Sequence, residues 1–222
     1  MRGVISVIIL AFLFAQCNTN KTLVDDTETV ILENGQAHAK NIILLIGDGM
    51  GLSQITGGMY TQHNYTALEN YPIVGLQKTH SFDNLITDSA ASGTAIATGH
   101  KTNNYAIAVD SDGNAVKTIL EEAEERKLCT GIVATSTIVH ATPASFIAHN
   151  VSRYNYEEIA ADFLETEIDF FVGGGKRYFD RRIDERNLLS ELEPTYYVSH
   201  FNKEELTDIT PCLLYTSDAA DD

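Results

Sequence analysis

The run Asp88-Ser89-Ala90-Ala91-Ser92-Gly93-Thr94-Ala95-Ile96-Ala97-Thr98 constrains this chain most. As a helix poor in bulky side chains it can pack tightly under a sheet, and Gly93 admits a second backbone at close range. Asp88 and Ser89 stand at its start. There, unpaired backbone N–H groups and a partial positive charge would hold a phosphate against the Ser89 hydroxyl, beside a carboxylate. The same residues also describe a simple N-cap on a buried helix, which needs no chemistry at all.

Two further segments bear on that choice. Asn41 to Ile46 is a continuous, isoleucine-rich apolar run, the pattern of a strand covered on both faces, and it ends at Gly47-Asp48-Gly49-Met50-Gly51. Asp48 is then expected at the C-terminal end of a parallel strand, where open α/β sheets bind ligands, with glycines that let a metal approach. A plain turn after a strand is the other meaning of Gly-Asp-Gly. The third segment is His140-Ala141-Thr142-Pro143-Ala144-Ser145, followed by Arg153.

Together these segments resemble the alkaline phosphatase family, in the family's order, over roughly residues 40 to 179. The family's strand and Gly-Asp-Gly-Met-Gly opening is matched by Gly47 to Gly51. Its Asp-Ser-Ala-Ala segment and the residues after it are matched by Asp88 to Asn103, with Lys101 and Thr102 in place. Its His/Asp-Ala-Thr/Ser-Pro segment is matched by His140 to Pro143.

The resemblance implies hydrolysis of phosphate monoesters through a phosphoserine on Ser89, at a site of two zinc ions and one magnesium. It makes Asp48 a bridging metal ligand, Thr142 a magnesium ligand and Arg153 the phosphate-holding residue. Zinc would lower the cost of the serine alkoxide without a histidine base, and a second zinc would complete a two-metal clamp. The arginine fork can take two phosphate oxygens at once. His140 falls where the family carries Asp or His. Magnesium prefers oxygen, so His140 is expected to act through a water or to make that third site tolerant of zinc. The remaining histidines, His38, His63, His80, His100, His149 and His200, lack ligand spacing and are expected to be structural or at the surface.

The family completes its metal shell with Asp-x-x-x-His, Asp-His, a lone His and a Glu, none of which can be assigned here. Cys212 to Asp222 shifts composition and resembles a translated adapter sequence, so residues 212–222 are expected to be non-native and the natural chain to continue beyond Pro211. At the other end, Met1-Arg2 and the apolar Val4–Phe14 resemble a secretory leader. Leu13-Phe14-Ala15-Gln16-Cys17 resembles a lipobox, with Gln16 departing from the usual small residue before the lipidated Cys17. Residues 1–17 are then a signal peptide, 18–39 a polar tether, and 40–211 the N-terminal part of a single domain. A periplasmic, outer-membrane or cell-surface location follows, with membrane contact only through the lipid anchor. The family's homodimer is the expected assembly, with no residue pattern marking its surface.

Cys129, left without a partner by this division, is expected to be small and buried. The formal net charge is −16; setting aside Asp218, Asp221, Asp222 and Arg2 leaves −14. Such acidity argues against nucleic acid as a partner, and an anionic substrate must then find its positive charge locally, from Arg153 and bound metals.

Helices are expected around Ser53–Gln62, from Ser89, over Ala115–Lys127 and over Tyr156–Glu165. Val116, Ile119, Leu120 and Ala123 would form the buried face of the third, with Glu121, Glu122, Glu124 and Glu125 in water. Strands are expected at Thr130–Thr135 and Asp169–Val172, and a hairpin or loop at Asp110–Gly113. The alternation predicts an α/β three-layer sandwich with a mainly parallel central sheet, incomplete at the C-terminus. Gly173 to Lys176 lacks phosphate-loop spacing and reads as a flexible strand-to-helix turn. The alternatives for function are another superfamily hydrolase, a phosphodiesterase or sulfatase, or a lipoprotein that binds metal or phosphate without turnover. Sulfatases use a formylglycine in a different motif, and diesterases usually carry threonine in another context.

Overall fold

The computed structural model of the protein describes residues 30–31, 37–39, 41–195, 198–200 and 214–216. Residues 1–29, which include the expected leader and Cys17, and most residues beyond 200 lie outside the described residues. The chain divides into two units between Ile46 and Gly47.

In the first unit β1 (Val30–Ile31) pairs antiparallel with β2 (Ala37–His38), inside the stretch expected to be a tether. Asn41–Ile46 corrects an expectation. It is not a strand, and its side chains are exposed, Ile42 by 88% and Ile43 by 84%. An apolar run becomes a doubly covered strand only when neighbours supply a ladder and two faces of contact. Among the described residues it has no ladder partner.

The second unit opens with a turn at Gly47–Met50 and α1 (Leu52–Thr61), whose Gln54 Oε1 accepts the Gly51 N–H at 3.1 Å. An extended stretch leads to α2 (Ser89–Thr98), ended by Gly99 at φ +76°. There follow α3 (Ile119–Glu125), β3 (Gly131–Thr137), α4 (Ala141–Ala144), α5 (Tyr156–Asp162), β4 (Phe170–Gly174), α6 (Arg177–Asp180), α7 (Leu188–Leu192), β5 (Val198–His200) and β6 (Leu214–Thr216). The sheet runs β3-β4-β6-β5 with every pair parallel, so the fold is α/β with a parallel sheet, the class expected. Its β3–β4 register pairs Gly131 with Phe170 and Val133 with Val172, then shifts so that Thr137 meets Gly174.

The core lies between β4 and the helices around it. Phe163, Phe171 and Phe179 are fully buried, with ring centroids 4.5 Å apart for Phe163–Phe171 and 5.7 Å for Phe163–Phe179. Such pairs add about 0.5–1.5 kcal/mol each beyond the apolar area they bury. Ile138, Ile147, Ile159, Ile168, Leu188 and Leu192 close around them.

Several local expectations are corrected. The third helix starts at Ile119, not Ala115, because Thr118 caps it: its Oγ accepts the Glu121 N–H at 3.2 Å and Glu121 Oε2 accepts the Thr118 N–H at 2.7 Å. Ala115 instead bridges Val109 across the Asp110–Gly113 turn, and Ile119 is exposed rather than buried. Glu121 is not a solvent-face residue, since its Oε1 lies 3.0 Å from His149 Nε2. Cys129 is exposed, because it stands in the loop ahead of β3 rather than in the ladder. Gly173 and Gly174 are buried strand residues, and only Gly175, at φ +95°, makes the turn. Lys176 is ion-paired with Asp180 in α6.

His149 ties three elements together, with Nδ1 2.7 Å from the Ala108 carbonyl, Nε2 on Glu121 of α3 and its N–H donating to Asp162 Oδ2 of α5 at 3.2 Å. Burial alone would lower its pKa, but the Ala108 carbonyl and Glu121 outweigh burial and hold it above the ordinary value. Burial raises Asp162 to about 6 against the pull of the His149 N–H, with Glu165 and Glu158 adding to the rise. An aspartate whose folded pKa lies above its unfolded one costs stability when ionised, and the cost shrinks as pH falls through the folded value.

Asp162→Asn, which keeps an acceptor for the His149 N–H, is therefore expected to raise the urea midpoint at pH 8. That gain should shrink as pH falls below about 6; a gain independent of pH would refute the assignment. A Cβ on Gly173 would lie 2.9 Å from Ile138 Cβ and 3.1 Å from its backbone N and Cα. Gly173→Ala should accordingly destabilise the protein by about 1–3 kcal/mol in the same denaturation experiment.

Candidate active site

One carboxylate organises the start of α2. Asp88 Oδ1 accepts the Ala91 N–H at 2.9 Å and so caps the helix that carries Ser89. Its Oδ2 accepts the Tyr105 N–H at 3.1 Å. The backbone of Asp88 is fixed in turn by Asn104, whose Oδ1 accepts the Asp88 N–H at 3.0 Å while its Nδ2 donates to the Ile86 carbonyl at 3.0 Å. Asn104 is itself held through its N–H by Asp83 Oδ1 at 2.9 Å, and that oxygen also accepts the Ser81 hydroxyl at 2.9 Å. The chain entering the helix is thus stapled on both sides of Ser89.

Arg153 meets this cap from the turn after Asn150. Its N–H donates to the Tyr105 carbonyl at 2.7 Å, which fixes the backbone. Its Nη1 donates to Asp88 Oδ2 at 3.1 Å and to Ser89 Oγ at 2.8 Å, and its Nη2 contacts His140 Nε2 at 3.2 Å. The side chain is only 14% exposed. A guanidinium has no acceptor, so His140 Nε2 accepts and the ring proton sits on Nδ1. Burial first, then the Arg153 charge, push the His140 pKa below its ordinary value, against the opposing pull of Asp48. That direction favours the neutral imidazole.

His140 is also the N-cap residue of α4, which carries Thr142. Gly93 brings α4 against α2: a Cβ there would fall 2.9 Å from Ser145 Oγ and 3.5 Å from Thr142 Cα. Ser145 Oγ stands at that contact, donating to the Ala141 carbonyl of its own helix at 2.8 Å and lying 3.4 Å from the Ala90 carbonyl of α2. Thr142 Oγ1 then donates to Asp48 Oδ2 at 2.9 Å. Asp48 sits in the Gly47–Met50 turn, with Gly49 at φ +68°, rather than at a strand end.

The structure therefore gathers the predicted residues in two joined groups, Ser89 with Arg153 and His140, and Thr142 with Asp48. Cys17 lies outside the described residues. Lys101 and Thr102 serve the frame, the first donating to the Lys78 and His80 carbonyls and the second, fully buried, to the Asp110 carbonyl at 3.2 Å. Sequence reasoning missed the roles of Asn104 and Tyr105. Asn104 falls one residue past the segment matched to the family, Asp88 to Asn103, and nothing in the sequence marks Tyr105.

As a metal corner, a carboxylate and a hydroxyl in contact make an oxygen donor set that fits magnesium. The zinc pair is not accommodated in the same way. Among the described residues no group of three or more His, Cys, Asp or Glu is placed to hold a metal ion.

The family model described as alkaline phosphatase matches residues 39–210. The chain belongs to the alkaline phosphatase family. Alkaline phosphatase 3 of Bacillus subtilis (strain 168) is 45% identical over 180 residues, covering 74% of this chain and 38% of that one. The structure of alkaline phosphatase from the Antarctic bacterium TAB5 superposes with a TM-score of 0.73 at 40% identity, covering 78% of this chain and 52% of that one. Two variants of the TAB5 alkaline phosphatase, with one histidine replaced by glutamate or by aspartate, carry Mg bound in the M3 site. The chain thus spans about half or less of the alkaline phosphatases it matches.

Proposed function

We propose that the full-length protein hydrolyses phosphate monoesters, with Ser89 as nucleophile and Arg153 as the phosphate clamp. The observation that carries this reading is the Arg153 guanidinium, directed at once to Ser89 Oγ and, through Asp88, to the cap of the nucleophile helix. The Nη1–H on Ser89 Oγ and the Nη2–H on His140 are the donors a bound phosphate would take over as a planar pair. Asp88 keeps the fork oriented during that exchange. Ser89 Oγ attacks phosphorus, the bond to the ester oxygen breaks and the alcohol leaves. Water then attacks the phosphoserine, returns the Ser89 hydroxyl and releases inorganic phosphate.

In this reading Asp48 and Thr142 would hold magnesium, and Asp48 is the residue that would also serve the zinc implied by the resemblance. Those cations, when bound, supply the charge that makes a serine alkoxide accessible near neutral pH. His140, at the N-cap of the helix that carries Thr142, would be able to hydrogen-bond a water at that corner once phosphate takes over Arg153 Nη2. Export through the leader, with or without a lipid anchor at Cys17, places the enzyme in the periplasm or at the cell surface. Two copies would form the family's homodimer.

The test is phosphate release from an aryl phosphate by the full-length protein. Ser89→Ala, which leaves the Asp88 cap intact, should cut turnover by at least about a thousandfold with little change in the thermal midpoint. A chelator should abolish activity and added zinc with magnesium restore it. Turnover that survives Ser89→Ala would overturn the nucleophile, and phosphate binding without any turnover would favour the non-catalytic binding protein.

A further inference from the structure

Tyr105 adopts φ +73°, a left-handed backbone that is strained for a bulky side chain and free of strain for glycine. The backbone has a reason to be there. Its N–H reaches Asp88 Oδ2 at 3.1 Å and its carbonyl receives the Arg153 N–H at 2.7 Å, so this one residue ties both halves of the phosphate grip. Those bonds need the conformation but not the ring. The ring is half in solvent, 51% exposed for the residue, and lies against Tyr154, itself 61% exposed, with centroids 5.8 Å apart and planes 34° apart. Tyr154 directly follows Arg153 in the chain. Two exposed aromatic rings are thus anchored, through backbone, to the arginine expected to orient phosphate, at the cost of a strained residue. Strain kept beside a reactive serine points to a use for the side chain.

We propose that Tyr105 and Tyr154 form an aromatic platform beside the phosphate clamp that receives a planar, aromatic leaving group, so that aryl and nucleoside phosphates are preferred over aliphatic ones. The proposal rests on the phosphomonoesterase reading for its substrate. Its contacts are dispersion and offset stacking on the tyrosine faces, which discriminate by the presence of a ring and not by charge. The phosphate itself stays on Arg153, so loss of the platform weakens the organic part of the ligand alone.

The experiment titrates the metal-loaded, full-length protein with two non-hydrolysable ligands, phenylphosphonate and methylphosphonate, by calorimetry. Wild type should bind phenylphosphonate more tightly. In Tyr154→Ala that preference should fall about fivefold, while methylphosphonate affinity stays within about twofold. Tyr154→Phe, which keeps the ring, should match wild type. Equal weakening of both ligands would show that the tyrosines act only through the Arg153 backbone, and an unchanged preference would show that the rings take no ligand; either result overturns the platform. Turnover of phenyl phosphate is followed in parallel. Its absence in wild type would refute the phosphomonoesterase reading, while the phosphonate comparison would still decide the platform.

Discussion

The Asp88 carboxylate is the contact on which the rest of the site depends. One oxygen caps α2 through the Ala91 N–H, and the other gathers the Tyr105 N–H and the Arg153 guanidinium. A helix start leaves backbone donors unsatisfied, and most capping side chains do no more than satisfy one of them. Here the cap also sets the distance between Ser89 and Arg153, because Asp88 Oδ2 accepts the same Nη1 that reaches Ser89. With side chains only 19% and 14% exposed, Asp88 and Arg153 pair where water screens them weakly. Taking away either partner would leave the other half-buried and uncompensated, so the pair fixes geometry more than it adds stability.

Close packing does the second part of the work. Ser89 and Thr142 lie far apart in sequence, and the absence of a side chain at Gly93 is what allows α4 to lie on α2. Once α4 is seated, His140 at its N-cap meets Arg153 and Thr142 meets Asp48. The small-residue composition of α2 is therefore a requirement of the site as well as of the fold.

That composition was legible in the sequence, as were the cap and the close approach at Gly93; that Ser89, Arg153, His140, Thr142 and Asp48 belong together was implied by the resemblance to the family. These features depend on local chemistry and on short motifs. What failed depends on neighbours. Asn41–Ile46 has the pattern of a buried strand and lies exposed, because periodicity describes a side chain's preference and not whether a ladder is present to receive it. The third helix was read too long because Val116 and Ile119 fit its apolar period, while the stronger Thr118–Glu121 capping box set its start. His149 looked incidental for the same reason: its partners Ala108, Glu121 and Asp162 come from three separate places in the chain. Tyr105 was invisible, since a positive φ at a tyrosine leaves no mark in composition or spacing.

Charge sets the last constraint. The site brings together the carboxylates of Asp48 and Asp88 with the single guanidinium of Arg153, and burial and Arg153 both disfavour a charge on His140. These groups alone carry a net negative charge, in a protein whose formal charge is −16. A phosphate monoester is a dianion near neutral pH, and beside the little-exposed Asp88 and Arg153 unbalanced like charges repel more strongly than at the exposed Asp48. Arg153 is committed to Asp88 through the same Nη1 that faces Ser89, so it cannot by itself offset both the carboxylates and the substrate. Under the proposed function, binding that dianion would demand further positive charge on the Asp48 side. The oxygen pair of Asp48 and Thr142 is the part of the site whose chemistry can recruit a cation.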